Sequence, residues 1–130
     1  MNRHIRPFHL AVPVHNIGEC RAFYGEVLGM KEGRSSEQWV DFDFYGHQFV
    51  IHYSPEKTKL HYKPVDGNQV RVPHYGVVLS MDEWKRLAER LETHKVKFVI
   101  EPTIRFKGEP GEQATLFFLD PAGNALQFQA

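Results

Sequence analysis

The sequence predicts an α+β fold built from two βαβββ modules in tandem. Three observations predict it. First, "FHLAVPV" (Phe8–Val14) and "PHYGVVL" (Pro73–Leu79) each place a histidine second in an apolar, strand-like run, and His9 and His74 stand 65 residues apart in a chain of 130. Second, each run leads into a capped amphipathic helix, and the two candidate caps, Asn16 and Ser80, are 64 residues apart. Third, the remainder of each half reads as three strands separated by turn residues. Two matched strand–helix starts in one register are the signature of a duplication.

The elements follow in order. Asn16 with Glu19 three residues on forms a capping-box pattern. Ala22, Phe23 and Val27 recur at helical spacing, and Gly29 suits a left-handed stop. Strands are expected over Lys31–Ser35, Gln38–Phe44 and Gln48–Tyr53, with "YGH" as the turn before the last. Ser54–Pro73 is polar, holds three prolines and reads as a connector. Ser80 with Glu83 repeats the capping box, and Trp84, Leu87, Ala88 and Leu91 share one helix face. Strands over Lys97–Glu101, Ala114–Leu119 and Asn124–Gln129 complete the second half, with "DPAGN" as its last turn. The organisation expected is a first module over residues 1–54, a connector over 55–72 and a second module over 73–130, together one domain.

Composition narrows the function classes. A chain of this length buries roughly two-thirds of its unfolded surface, so it needs no disulfide or structural metal to fold. Sixteen basic residues balance sixteen acidic ones, which gives no electrostatic footprint for nucleic acid or an anionic membrane. Cys20 is the single cysteine, which rules out an internal disulfide and fits a reducing compartment. The opening "MNRHIRPFHL" has no apolar signal core and no run reaches transmembrane length. The expected location is the cytoplasm.

Strand alternation indicates which way the histidines face. Phe8, Leu10, Val12 and Val14 share one face of the first strand, leaving His9, Ala11 and Pro13 on the other. In the matching strand, Tyr75, Val77 and Leu79 oppose His74, Gly76 and Val78. The histidine face is the lightly filled one, with Ala11 and Gly76 in corresponding places, and small residues beside an inward imidazole leave room for a ligand. In the closing strands, Gln48, Val50 and His52 fall on this face, as do Ala125, Gln127 and Gln129. His9, His52, His74 and Gln127 are therefore the candidate donors for a divalent metal: three imidazoles and an amide oxygen.

The runs "FHLAVPV…FYGEVLGM" and "PHYGVVL…FFLDPAGNALQF" resemble the vicinal oxygen chelate superfamily, the group of glyoxalases, bleomycin-resistance proteins and extradiol dioxygenases. The resemblance covers nearly the whole chain. It implies two βαβββ modules whose curled mixed sheets enclose a shared, metal-centred cavity, and a homodimer that in some members exchanges modules. The usual ligand positions, on the first and last strands of each module, carry over to His9, His52, His74 and Gln127. One position departs from the pattern: "GNALQ" supplies Gln127 where the superfamily ordinarily has Glu. The change removes a negative charge, a common general base, and the carboxylate of a two-histidine, one-carboxylate iron site.

The resemblance implies a divalent-metal enzyme, with Fe, Mn, Ni or Zn as Lewis acid toward two neighbouring oxygens of a small substrate. The reaction stays open between ring-cleaving dioxygenation and lyase or isomerase chemistry. Phe117, Leu119 and Val78 as apolar walls lean toward an aromatic substrate. The loop "RFKGEPGEQAT" offers Arg105 and Lys107 to an anionic substrate group and Glu112 as a replacement base. His47, Tyr53 and Tyr62 are further rim candidates. The alternative is a metal-free protein that sequesters a small molecule in the manner of bleomycin-resistance members.

Overall fold

The alternation in the first strand, β1 (His9–Val14), decides how the first sheet sits: Val12 and Val14 are buried, while His9 and Ala11 are exposed. The computed structural model describes residues 5–56, 62–65 and 68–130, with the backbone alone for 62–65, 68 and 69. The chain divides into two compact units, Met1–Lys57 and Thr58–Ala130. Among the described residues, no helix is long and apolar enough to cross a membrane.

In the first unit, β1 is followed by α1 (Ile17–Ala22), β2 (Lys31–Ser35), β3 (Trp39–Phe44) and β4 (His47–Tyr53). The sheet order is β1-β4-β3-β2, with β1 parallel to β4 and the other pairs antiparallel. A parallel pair needs a crossover connection, and α1 supplies it. Asn16 Oδ1 accepts from the Glu19 amide at 2.9 Å, capping the helix. The helix then widens into a π-helical turn at Phe23–Val27, closed by Leu28 N–H on the Phe23 carbonyl at 3.0 Å, a departure from the regular helix expected. Gly29 stops it at φ 73°. Tyr24, fully buried in that turn, packs its ring against Phe49 and Phe42 at centroid distances of 4.8 and 5.8 Å.

The second unit repeats the plan with β7 (His74–Tyr75), α2 (Met81–Thr93), β8 (Phe98–Arg105), β9 (Gln113–Leu119) and β10 (Ala125–Gln129), in the order β7-β10-β9-β8. The Ser80–Glu83 capping box is complete in both directions. Trp84, Leu87, Ala88 and Leu91 are buried, and Trp84 Nε1 donates to the Phe128 carbonyl at 3.1 Å. Phe118 and Phe128 stack at 6.1 Å on the same side of the sheet. Each such side chain removed from water contributes about 2 kcal/mol. The two mixed sheets, each with its helix, are the α+β architecture expected of two βαβββ modules.

The stretch read as a connector is more than a loop. It carries an antiparallel hairpin, β5 (Tyr62–Val65) with β6 (Asn68–Arg71), which belongs to the second unit. Val70 anchors the hairpin: it is buried with Phe117 and Ala125, with Val99, Ile100 and Leu119 packed alongside. The prolines suggested irregular chain, but "VDGN" places Asp-Gly between two β-forming runs, which is a two-residue hairpin signature.

Candidate functional site

His9 and His74 occupy matched places in the two units and are held in the same way. In the first unit, β1 pairs with β4 so that His9 is opposite Gln48. His9 Nδ1 lies 2.8 Å from Gln48 Oε1. In the second unit, β7 pairs with β10 so that His74 is opposite Ala125, and His74 Nδ1 lies 2.9 Å from the Arg71 carbonyl oxygen. Both acceptors are oxygens, so each Nδ1 carries the proton and donates it. In the neutral ring Nε2 is then the nitrogen with the lone pair, the form in which an imidazole binds a divalent metal. The His74 ring also stands edge-on to Phe117, with centroids 5.2 Å apart.

Gln127 is two residues along β10 from Ala125, beside Gly76 of the facing chain. A Cβ on Gly76 would overlap the Gln127 carbonyl, so the small residue there admits a neighbouring backbone as well as lightening the face. Gln127 Nε2 donates to Thr115 Oγ1 at 3.0 Å. The strand is set at this depth by the "DPAGN" turn. Buried Asp120 accepts from the amides of Ala122 and Asn124 at 2.9 and 2.8 Å and from Asn124 Nδ2 at 3.0 Å.

The same registers place His52 differently along its strand. Gln48 corresponds to Ala125, so the first-unit counterpart of Gln127 is Val50, opposite Ala11, and His52 corresponds to Gln129. His52 is opposite Pro13, four residues beyond the His9 level, about 13 Å along the strands. The structure therefore groups His74 with Gln127 in the second unit but does not bring His52 to His9 in the first.

Two pockets flank Gln127. One, about 300 Å³, is lined by His74, Gly76, Val78, Gln127 and Gln129 among others. The other, about 470 Å³, is lined by Val78, Ile100, Arg105, Gln113, Thr115, Gln127 and Gln129 with two alanines. Arg105 reaches it from the end of β8, where it pairs with Gln113 across the ladder. Among the described residues, no Asp or Glu lines either pocket. Glu112 is turned back on its own loop, its Oε2 accepting from the Gly108 amide at 2.8 Å. Phe117 is fully buried beside Val70, and neither it nor Leu119 lines these pockets, so of the three expected apolar walls only Val78 does. Sequence reasoning placed Gln129 on this face without giving it a role, and did not single out Thr115 or Gln113, although their spacing along β9 places them on the face of Gln127. His47 has a structural use, its Nδ1 accepting from the Phe8 amide at 2.8 Å. Tyr53 is partly exposed at the end of β4, and the Tyr62 side chain is outside the described residues.

Among the described residues, no three His, Cys, Asp or Glu side chains gather into a metal-binding group. Within the second unit the candidate donors are the His74 imidazole and the Gln127 amide, and in the first unit His9 stands at the matched place. Imidazole and amide are donors suited to a divalent ion of intermediate softness, and the amide brings no negative charge.

The family model of the Glyoxalase/Bleomycin resistance protein/Dioxygenase superfamily matches residues 6–128. The chain belongs to this superfamily. A glyoxalase/bleomycin resistance protein/dioxygenase from Alicyclobacillus acidocaldarius is 27% identical, with 99% of this chain and 93% of that one covered at a TM-score of 0.78. The fold is also that of a genomically encoded fosfomycin resistance protein from Listeria monocytogenes (17% identity, 100% and 94% covered, TM-score 0.67). A lactoylglutathione lyase from Agrobacterium tumefaciens shares it as well (19%, 99% and 94%, 0.62). Among curated proteins, none matches this chain. The superfamily thus contains both enzymes and resistance proteins on one βαβββ plan, and this member keeps a histidine at the same place in both modules.

Proposed function

We propose that this chain is a divalent-metal-dependent enzyme acting on a small, anionic substrate that presents two neighbouring oxygens. One observation carries the reading: His9 and His74, matched in the duplication, each have Nδ1 committed to an oxygen acceptor and Nε2 left as the ligating nitrogen. The ligands would be His74 and Gln127 in the second module, with His9 the matched candidate ligand of the first. A bound divalent ion would supply Lewis acidity toward the two substrate oxygens.

The chain's own residues do the rest. Arg105 holds the anionic end of the substrate, with Gln113, Thr115 and Gln129 as hydrogen-bonding neighbours around it. A neutral donor set leaves the charge of a divalent ion to be balanced by the substrate, which also favours an anion. The pocket lining is mixed and includes no aromatic side chain, which favours lyase or isomerase chemistry over ring cleavage. The name of one fold relative, a lactoylglutathione lyase, agrees with that preference.

The test is elemental analysis of untagged protein, beside His9→Ala and His74→Ala. Near-stoichiometric iron, manganese, nickel or zinc that is lost in both variants supports the reading. No metal, and none taken up on reconstitution, overturns it. The lack of a three-residue His/Cys/Asp/Glu group among the described residues would then favour the second reading, a metal-free protein that sequesters an anionic small molecule.

A further inference from the structure

We propose that Arg71 is a positioning residue, whose buried guanidinium holds the end of β6 against the turn before β10 and so sets His74 in place. The inference rests on the reading of His74 as a site residue and needs no metal. Arg71 meets the site at both of its ends. Its carbonyl oxygen accepts the His74 Nδ1 proton at 2.9 Å. Its guanidinium lies against the "DPAGN" turn, where a Cβ on Gly123 would come within 3.2 Å of Nη1. β10 begins at Ala125, directly after that turn, and Ala125 is the residue paired with His74. The carbonyl survives any substitution at position 71, but the guanidinium decides where it stands.

Charge accounts for the attachment. Three polar side chains are buried among the described residues, Arg71, Asp120 and Asn124, and the last two belong to this turn. Asp120 brings a carboxylate that accepts from the amides of Ala122 and Asn124 and from Asn124 Nδ2. A guanidinium beside the turn offsets that negative charge where screening is weak. Yet Arg71 Nε and Nη1 are shut from water and have no hydrogen-bond partner. Unmade bonds of a buried charge are costly, and an apolar side chain of similar volume often replaces such a group without loss of stability. Stability alone therefore gives no reason for an arginine here. Register does, because attraction to one turn selects one arrangement of β6, β7 and β10.

Ring-nitrogen NMR of the intact chain with 15N-labelled histidine tests this, at a pH where the imidazole is neutral and with His74→Gln to assign the signals. The parent chain should show His74 in one form, with Nδ1 protonated. Arg71→Met, uncharged and of similar length, should lower the ratio of that form to the Nε2–H form by roughly 5-fold, the worth of one ordinary hydrogen bond. Its melting temperature should not fall. Arg71→Lys, which keeps the charge, should restore the parent signal. Asp120→Asn should loosen His74 with Arg71 unaltered, and it carries the test if Arg71→Met does not fold. An unchanged His74 signal in either uncharged variant would overturn the proposal. So would a lowered melt that Arg71→Lys does not restore, because Arg71 would then act through packing. A chain that takes up no metal yet shows these shifts would overturn the metal reading and leave this one standing.

Discussion

Gly76 lies so close to the backbone of Gln127 that any side chain on Gly76 would overlap the Gln127 carbonyl. The matched place in the first unit is Ala11 opposite Val50, where a methyl is accommodated. Gly76→Ala should therefore force β7 away from β10 and cost roughly 1–3 kcal/mol. Ala11→Gly should cost roughly 0.5–1 kcal/mol, from backbone entropy alone. Chemical denaturation midpoints of the two variants measure the contrast, and equal costs would contradict the close approach.

Gln48→Leu should leave the fold intact, because Gln48 is exposed, yet remove the acceptor of the His9 Nδ1 proton. Losing that hold on ring and tautomer should lower metal affinity by roughly 10-fold or more. The check is a metal titration beside a thermal melt. Unchanged affinity with an unchanged melt would remove Gln48 from the site.

Arg105 and Glu112 are neighbours in sequence on either side of one loop, but their side chains are differently engaged. Arg105→Ala should weaken binding of a simple anionic probe, methylphosphonate, by roughly 10- to 100-fold, the worth of a charge-assisted hydrogen bond. Glu112→Gln should leave that binding unchanged, because its carboxylate is engaged by the Gly108 amide. A strong loss of turnover in Glu112→Gln without a loss of probe binding would return Glu112 to a proton-transfer role.

Arg21 and Glu32 form a bidentate pair between α1 and β2, with Nη2 to Oε2 at 2.8 Å. The hydrogen bond from Arg21 is the main cause holding the Glu32 carboxyl below its usual range, and the same bond to Glu32 raises Arg21. A depressed folded-state pKa means that the pair's contribution is present above the ordinary carboxylate pKa and is lost as pH falls through the lowered value. Both side chains are partly exposed, so the effect is small and salt-sensitive. The stability difference between the parent chain and Glu32→Gln should shrink on acidification below about pH 4, and denaturation curves across that range measure it. A difference that grows instead would contradict the sign.

Much of this was legible in the sequence, and the parts that were not share a cause. Alternation has a period of two, so it reports which face a residue occupies and not how far along the strand it sits. That is why His52 was grouped with His9 by face although the register separates them by four residues. In the second unit the "DPAGN" turn marks where β10 starts, so Gln127 could be placed relative to His74. The caps at Asn16 and Ser80 were readable because a cap is a local pattern. The cover of Val70 over Phe117 was not readable, because it depends on a hairpin folding back over the sheet. The bond from Glu112 to Gly108 is likewise a choice of rotamer that charge and spacing do not specify.

The two histidines are held in the same tautomer by different kinds of atom, a side-chain oxygen for His9 and a main-chain oxygen for His74. A single codon change at Gln48 can release the first, whereas no codon change at Arg71 deletes the carbonyl that holds the second. The modules therefore differ in how easily drift can dismantle them. One substitution at Gln48 frees the His9 ring, while the His74 ring stays oriented by main chain.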